Sequence, residues 1–239
     1  MTESLVSGTL NFRDVGGLPA GNGRTRSGVL YRSGNLAHVD ETGAASLRRL
    51  GLRRIIDLRD DDEVRWAPSM VEGLDLVTQR VPLFLGSVMS FFEEDANLPG
   101  MYSSLIDGSA DKVVEVVRGI LNDQPVLVHC TVGKDRTGVT VALTLAAAGV
   151  DPEAVVADYA RTEALLPEAR NREVVARLRA LHPESLHLED LATRSPAPVM
   201  REVLERLDAV FGSPADYLRA HGLGDDELEE LRRILVVRS

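Results

Sequence analysis

Apolar positions in the first half of the chain follow two periods. Short apolar, β-branched runs at 29–32, 54–58 and 125–129 predict buried strands, and 76–81 predicts another. Between them, Val113, Val114, Val117, Ile120 and Leu121 recur at helical spacing, which predicts an amphipathic helix over 111–122. Asp40 is placed to cap a helix running through Leu50, with Gly51 as its stop, and 137–148 predicts a helix closed by Gly149. The Gly- and Arg-rich stretch 21–28 has the look of a hairpin. Strands interleaved with helices imply an α/β architecture with a mostly parallel central sheet. In such sheets ligands bind beyond the carboxyl ends of the strands.

From Asp151 onward the pattern turns helical. Pro152, Pro167 and Pro214 stand near expected helix starts, Ser213 and Asp225 are entry signals, and a last helix is expected over 227–236. Three prolines in 183–198 predict a loop there. The chain 1–239 is expected to form one domain, with 151–239 as its helical extension. Phe84, Leu85, Val88, Met89, Phe91 and Phe92 cluster within 82–108, ahead of Glu93, Glu94 and Asp95. At helical spacing such a cluster is a core-packing face, or else a helix that covers a pocket or touches lipid.

Composition narrows the chemistry. The chain has 239 residues, 44% hydrophobic and 27% charged, with a net charge of −10. That balance argues against general nucleic-acid binding, which needs a basic face. No apolar run approaches the roughly 18 residues that span a membrane, so no stable membrane insertion is expected. The N-terminus lacks a basic flank and apolar core, so a cytoplasmic setting is expected, with export lacking a recognisable signal left open. The single cysteine excludes an intrachain disulfide and a Cys-rich metal site. Neither metal nor other cofactor is implied. Only two of the 27 basic residues are lysines, Lys112 and Lys134, and the second falls inside the segment that carries the chemistry.

That segment is His129-Cys130-Thr131-Val132-Gly133-Lys134-Asp135-Arg136-Thr137-Gly138, between a buried strand and a helix start. Backbone N–H groups of such a loop converge, and the helix N-terminus adds positive potential, so an anion is favoured. Thr131, Val132, Gly133, Lys134 and Thr137 would wrap phosphate oxygens. Arg136 would bind two more through its planar fork. The same field favours the thiolate of Cys130, the candidate nucleophile. Attack on phosphorus would give a cysteinyl-phosphate that water hydrolyses, with Thr137 hydrogen-bonding the departing sulfur. His129 would organise the loop. The leaving oxygen needs a proton. Asp135 and Asp57 are the candidate acids, the alternatives being a helix cap for Asp135 and an ion pair with Arg59 for Asp57. Asp60, Asp61 and Asp62 read as a solvated turn.

His-Cys-x-x-Gly-x-x-Arg-Thr-Gly between strand and helix resembles the signature of the protein tyrosine and dual-specificity phosphatases. The fuller HCxxGKDRTG resembles that of the bacterial atypical tyrosine and lipid phosphatases. Asn11-Phe12-Arg13-Asp14-Val15-Gly16-Gly17, Leu30-Tyr31-Arg32-Ser33-Gly34 and Ile56-Asp57-Leu58-Arg59 are similar to further segments of that family. The resemblance implies a cysteine-phosphatase core with added lid helices, the lid falling within 82–108. It also implies Asp135 as the acid, Arg59 at the pocket, and phosphorylated protein or phosphoinositide as substrate. Lys134 would contact a second phosphate. Thr131 stands where the most basic lipid-phosphatase loops carry another Lys, which implies mixed specificity. Two other readings remain: a catalytically silent module that only binds phosphorylated ligands, and a sulfur- or arsenate-handling enzyme.

Overall fold

The computed structural model describes residues 5–83 and 95–238. Five strands form the central sheet: β1 (Arg13–Asp14), β4 (Leu30–Ser33), β7 (Val126–His129), β5 (Arg54–Asp57) and β6 (Val77–Arg80), in that spatial order. The pairs β4·β7, β7·β5 and β5·β6 are parallel, and only the β1·β4 pair at the edge is antiparallel.

Side chains of the three central strands alternate between two cores, as a pleat with both faces covered requires. Tyr31, Ile55 and Leu127 pack with Leu47 of α1 (Glu41–Arg49) on one face. Leu30, Ile56, Val126 and Val128 pack on the other with α4 (Ala110–Asn122) and α5 (Arg136–Ala147). Burial on both sides is why these strands are continuous apolar runs. β6 is the exposed edge, and α2 (Asp61–Trp66) lies between it and β5 in the chain.

The same core continues into the C-terminal helices: α6 (Pro152–Leu165), α9 (Ala197–Phe211), α10 (Pro214–Ala220) and α11 (Asp225–Leu235). Helix α7 (Glu168–Leu181) buries no residue fully. The chain ends in β8 (Val236–Arg238), which pairs with β3 (Gly23–Thr25) of the hairpin completed by β2 (Pro19–Ala20).

Three expectations need correction. Residues 183–198 are not one loop, because α8 (Leu188–Thr193) buries Leu188 and Leu191 and α9 begins at Ala197. The last helix stops at Leu235, and 236–238 is strand because β3 offers an edge to pair with. Asp60 to Asp62 are not a free turn: Asp60 caps α2 and exchanges hydrogen bonds with Glu63 in a capping box. Finally, the aromatic cluster 84–92 lies outside the described residues, while the later part of the expected lid is α3 (Leu98–Gly108). Its Leu98, Met101, Tyr102, Leu105 and Ile106 are buried in the main core. Among the described residues no helix is long and apolar enough to cross a membrane.

Candidate active site

Register sets the site. Ser33 and Asp57 both pair with His129, so β4, β7 and β5 end level with one another. Three segments therefore leave the sheet together: Gly34–Asn35, the loop opening at Cys130, and Leu58–Arg59.

The loop is held from outside by its carbonyls. Thr131 O accepts from the backbone N–H of Asn35 at 3.0 Å and from its Nδ2 at 3.1 Å. Gly133 O accepts from Asn11 Nδ2 and from an Arg32 terminal nitrogen, both at 2.9 Å. A trans peptide points its N–H opposite to its C=O. With these two carbonyls fixed outward, the amides of Val132 and Lys134 turn toward the inside of the loop. Gly133 is required where it stands: its φ is +74°, and a Cβ there would lie 2.4 Å from the Ser33 carbonyl. The Gly133 amide donates to Cys130 Sγ at 3.3 Å.

A buried ionic layer supports those outer hydrogen bonds. Asp158 of α6 accepts from Arg13 Nε at 2.8 Å and from Arg32 at 2.7 Å. Arg13 also donates to Asn11 Oδ1, which orients the Asn11 amide toward the loop. Burial alone would raise the Asp158 carboxyl, but the charges of Arg32 and Arg13 and their hydrogen bonds outweigh it and hold it below its ordinary value.

Arg136 opens α5 with its guanidinium directed to Glu63 of α2. Its terminal nitrogens reach Glu63 Oε2 at 2.5 Å and Oε1 at 2.6 Å, and Thr131 Oγ1 also donates to Oε1. Burial opposes the charge on both partners. The pairing wins, lowering Glu63 and raising Arg136. Because Glu63 takes the end of the fork, the Nε edge remains for a second oxyanion. Glu63 was legible only as the fourth member of the capping box.

Asp135 does not cap α5 through its side chain. Its Oδ1 accepts from Lys134 Nζ at 2.5 Å and from the Tyr102 hydroxyl at 2.8 Å. The Lys134 ammonium is thereby committed to Asp135, and its side chain is 1% exposed. Arg59, expected at the pocket, turns its guanidinium to Asp57. Its Nε and one terminal nitrogen grip Asp57 at 2.9 and 2.7 Å, and the other donates to Ala67 O at 2.6 Å. Burial pushes Asp57 up, but hydrogen bonds from Arg59 and the charges of His129 and Arg59 hold it below the ordinary carboxylate value. Asp57 is thus ion-paired with Arg59. His129 is fully buried, and burial lowers its pKa. Its Nδ1 lies 3.3 Å from Cys130 O and its Nε2 lies 3.7 Å from Asp57.

Cys130, Thr131, Val132, Lys134, Asp135 and Arg136 all line one cavity of about 1120 Å³. Its far walls come from α2, including Trp66, and from Arg170, Val174, Arg177 and Leu178 of α7. Gly133 and Thr137 lie behind this lining. Thr137 Oγ1 is buried with no hydrogen-bond partner among the described residues. Among the described residues no group of three or more His, Cys, Asp or Glu side chains is placed to hold a metal ion.

Comparison with known proteins shows the family. The sequence profile described as "Tyrosine phosphatase family" matches residues 5–237. The triple specificity protein phosphatase PtpB of Mycobacterium tuberculosis is 29% identical, over 99% of this chain and 100% of that one. A tyrosine-protein phosphatase of Nostoc commune is 27% identical, over 85% of this chain and 73% of that one. The crystal structure of P. aeruginosa TpbA matches 77% of this chain and 91% of that one, at 19% identity and a TM-score of 0.39. The chain belongs to the tyrosine phosphatase family, in its bacterial atypical branch, and is an enzyme of the phosphoric monoester hydrolase class.

Proposed function

We propose that this enzyme hydrolyses phosphomonoesters without a metal, through a cysteinyl-phosphate on Cys130. The observation that carries the proposal is the outward tethering of Thr131 O and Gly133 O, which turns the loop amides inward around Cys130. A phosphoryl group there would meet those amides and the Nε edge of Arg136. Cys130 Sγ forms a bond to phosphorus as the ester oxygen leaves, and Asp135 gives that oxygen its proton. In the second step water attacks phosphorus, Asp135 accepts its proton, and the sulfur departs while Thr137 Oγ1 donates to it.

The substrates proposed are phosphotyrosine proteins, with phosphoserine, phosphothreonine and phosphoinositides as further classes. Support for breadth is the size of the cavity and its mixed lining. Trp66, Val174 and Leu178 offer apolar surface to an aryl group, and Arg170 and Arg177 offer cations to an anionic one. Turnover of para-nitrophenyl phosphate by the purified protein, with and without EDTA, tests the reaction. Equal rates are expected. Loss on chelation with recovery on adding metal would overturn the metal-free chemistry. Phosphopeptides and a phosphoinositide assayed in parallel then rank the substrate classes.

A further inference from the structure

Asp135 is oriented by two tyrosines that come from outside its loop. Tyr102 of α3 donates to Asp135 Oδ1 at 2.8 Å, and its own oxygen lies 2.7 Å from the hydroxyl of Tyr159 on α6. Both rings are fully buried and meet edge to face, with centroids 6.1 Å apart. The direction of the hydrogen bonds follows from counting protons. Tyr102 has one proton and spends it on the carboxylate, so the bond between the phenols must be donated by Tyr159. Burial raises the pKa of both hydroxyls, first among several causes, so both stay protonated donors at working pH.

Tyr159 is itself fixed. Its ring lies 3.1 Å from where a Cβ on Gly138 would stand, so glycine at this point of α5 spares the ring a tight contact. The chain Tyr159 to Tyr102 to Asp135 thus ties the loop carboxylate to three helices. Both donors, Lys134 and Tyr102, reach the same oxygen, Oδ1.

We infer that Tyr102, backed by Tyr159, is a positioning residue for proton transfer: by holding Oδ1 it reserves Asp135 Oδ2 to carry the proton given to the leaving oxygen and later taken from water. This rests on the proposed role of Asp135 as the acid.

The test measures Tyr102→Phe and Tyr159→Phe, each in the wild-type and Asp135→Asn backgrounds, on aryl phosphates running from good to poor leaving groups. Tyr102→Phe is expected to lower kcat on the poorest leaving groups by roughly 10–100-fold, the size of one hydrogen bond to a charged group. KM, and kcat on the best leaving group, should stay within about threefold. Added to Asp135→Asn it should cost nothing further, because its effect runs through Asp135. Losses equal across leaving groups, or losses that add to those of Asp135→Asn, would reduce Tyr102 to core packing and overturn the inference while leaving Asp135 as the acid. A flat leaving-group dependence for Asp135→Asn alone would remove the acid assignment and this inference with it. If Tyr102→Phe does not fold, Tyr159→Phe decides on the same criterion. A loss confined to poor leaving groups supports the relay, and a uniform loss refutes it.

Discussion

The Cys130–Arg136 loop has two sides, and buried charges on them do different work. On the outer side Arg13 and Arg32 converge on Asp158, and Arg32 and Asn11 hold the Gly133 carbonyl. On the inner side Arg136 gives its terminal nitrogens to Glu63, and among the described residues its Nε makes no hydrogen bond. These arginines are all nearly buried, and all are neutralised by a carboxylate. What separates them is the space left beside the ion pair. Arg136 faces the cavity and the outer pair faces packed helix. A guanidinium becomes a ligand where its partner leaves one edge open, and it becomes scaffold where every neighbour is protein. Arg59 obeys the same rule. Although it follows a strand that ends at the site, its donors are taken by Asp57, Ala67 and Ser69, and it is scaffold.

The largest effect expected from breaking this contrast is on the inner side. Asp135→Asn should lower kcat by roughly 10²–10⁴-fold on poor leaving groups, the range of a positioned acid. It should matter far less for para-nitrophenyl phosphate, and equal losses on both would assign Asp135 to loop structure instead. Arg136→Lys keeps the charge but loses the planar fork. About 10²–10³-fold is expected from kcat/KM, comparable to removing one preorganised donor from a transition-state site. A loss under tenfold would mean that the amides alone hold the phosphoryl group.

On the outer side the expected effect is on stability. Asp158→Asn leaves two buried arginines without a counter-ion and should cost about 3–5 kcal/mol in a denaturant titration. The pH dependence has a definite sign. The folded carboxyl is held below its ordinary 3.8, so its stabilisation is fully present above that value and is lost as pH falls through the lower, folded one. The gap between wild type and Asp158→Asn should therefore be widest near neutrality and close below about pH 3.8. A gap constant with pH would point to packing rather than charge. The smallest effect concerns substrate. Arg59→Lys should destabilise the fold while leaving KM for a phosphotyrosine peptide within about twofold, because the new side chain still faces Asp57. A KM raised tenfold in a folded variant would return Arg59 to the binding site.

Much of this was legible in the sequence. The strands β4, β5 and β7 are apolar because both their faces are covered, and the Cys130–Arg136 loop carries its own spacing, so both can be read locally. The ionic layer behind the loop is harder to read. Asp158 sits in the middle of a helix, and nothing around it announces Arg13 and Arg32, some 145 and 126 residues away. Tyr102 is invisible for the same reason, because helical spacing marks it as core and only the fold brings it to Asp135. Glu63 was hidden in an acidic run that resembles a solvated turn, although the Asp60-x-x-Glu63 spacing is that of a capping box. For Lys134 and Arg59, sequence position gives proximity to a site but not which carboxylate pairs with the charge.

The central claim is that Cys130 is the atom that takes the phosphoryl group, and trapping it is the direct measurement. Protein mixed with an aryl phosphate, denatured within a single turnover and mapped by mass spectrometry should carry phosphate on the peptide that contains Cys130. Cys130→Ser should carry none and turn over at least about 10⁴-fold more slowly, while still binding inorganic phosphate. Phosphate trapped on another residue, or a Cys130→Ser variant within tenfold of wild-type activity, would contradict the account.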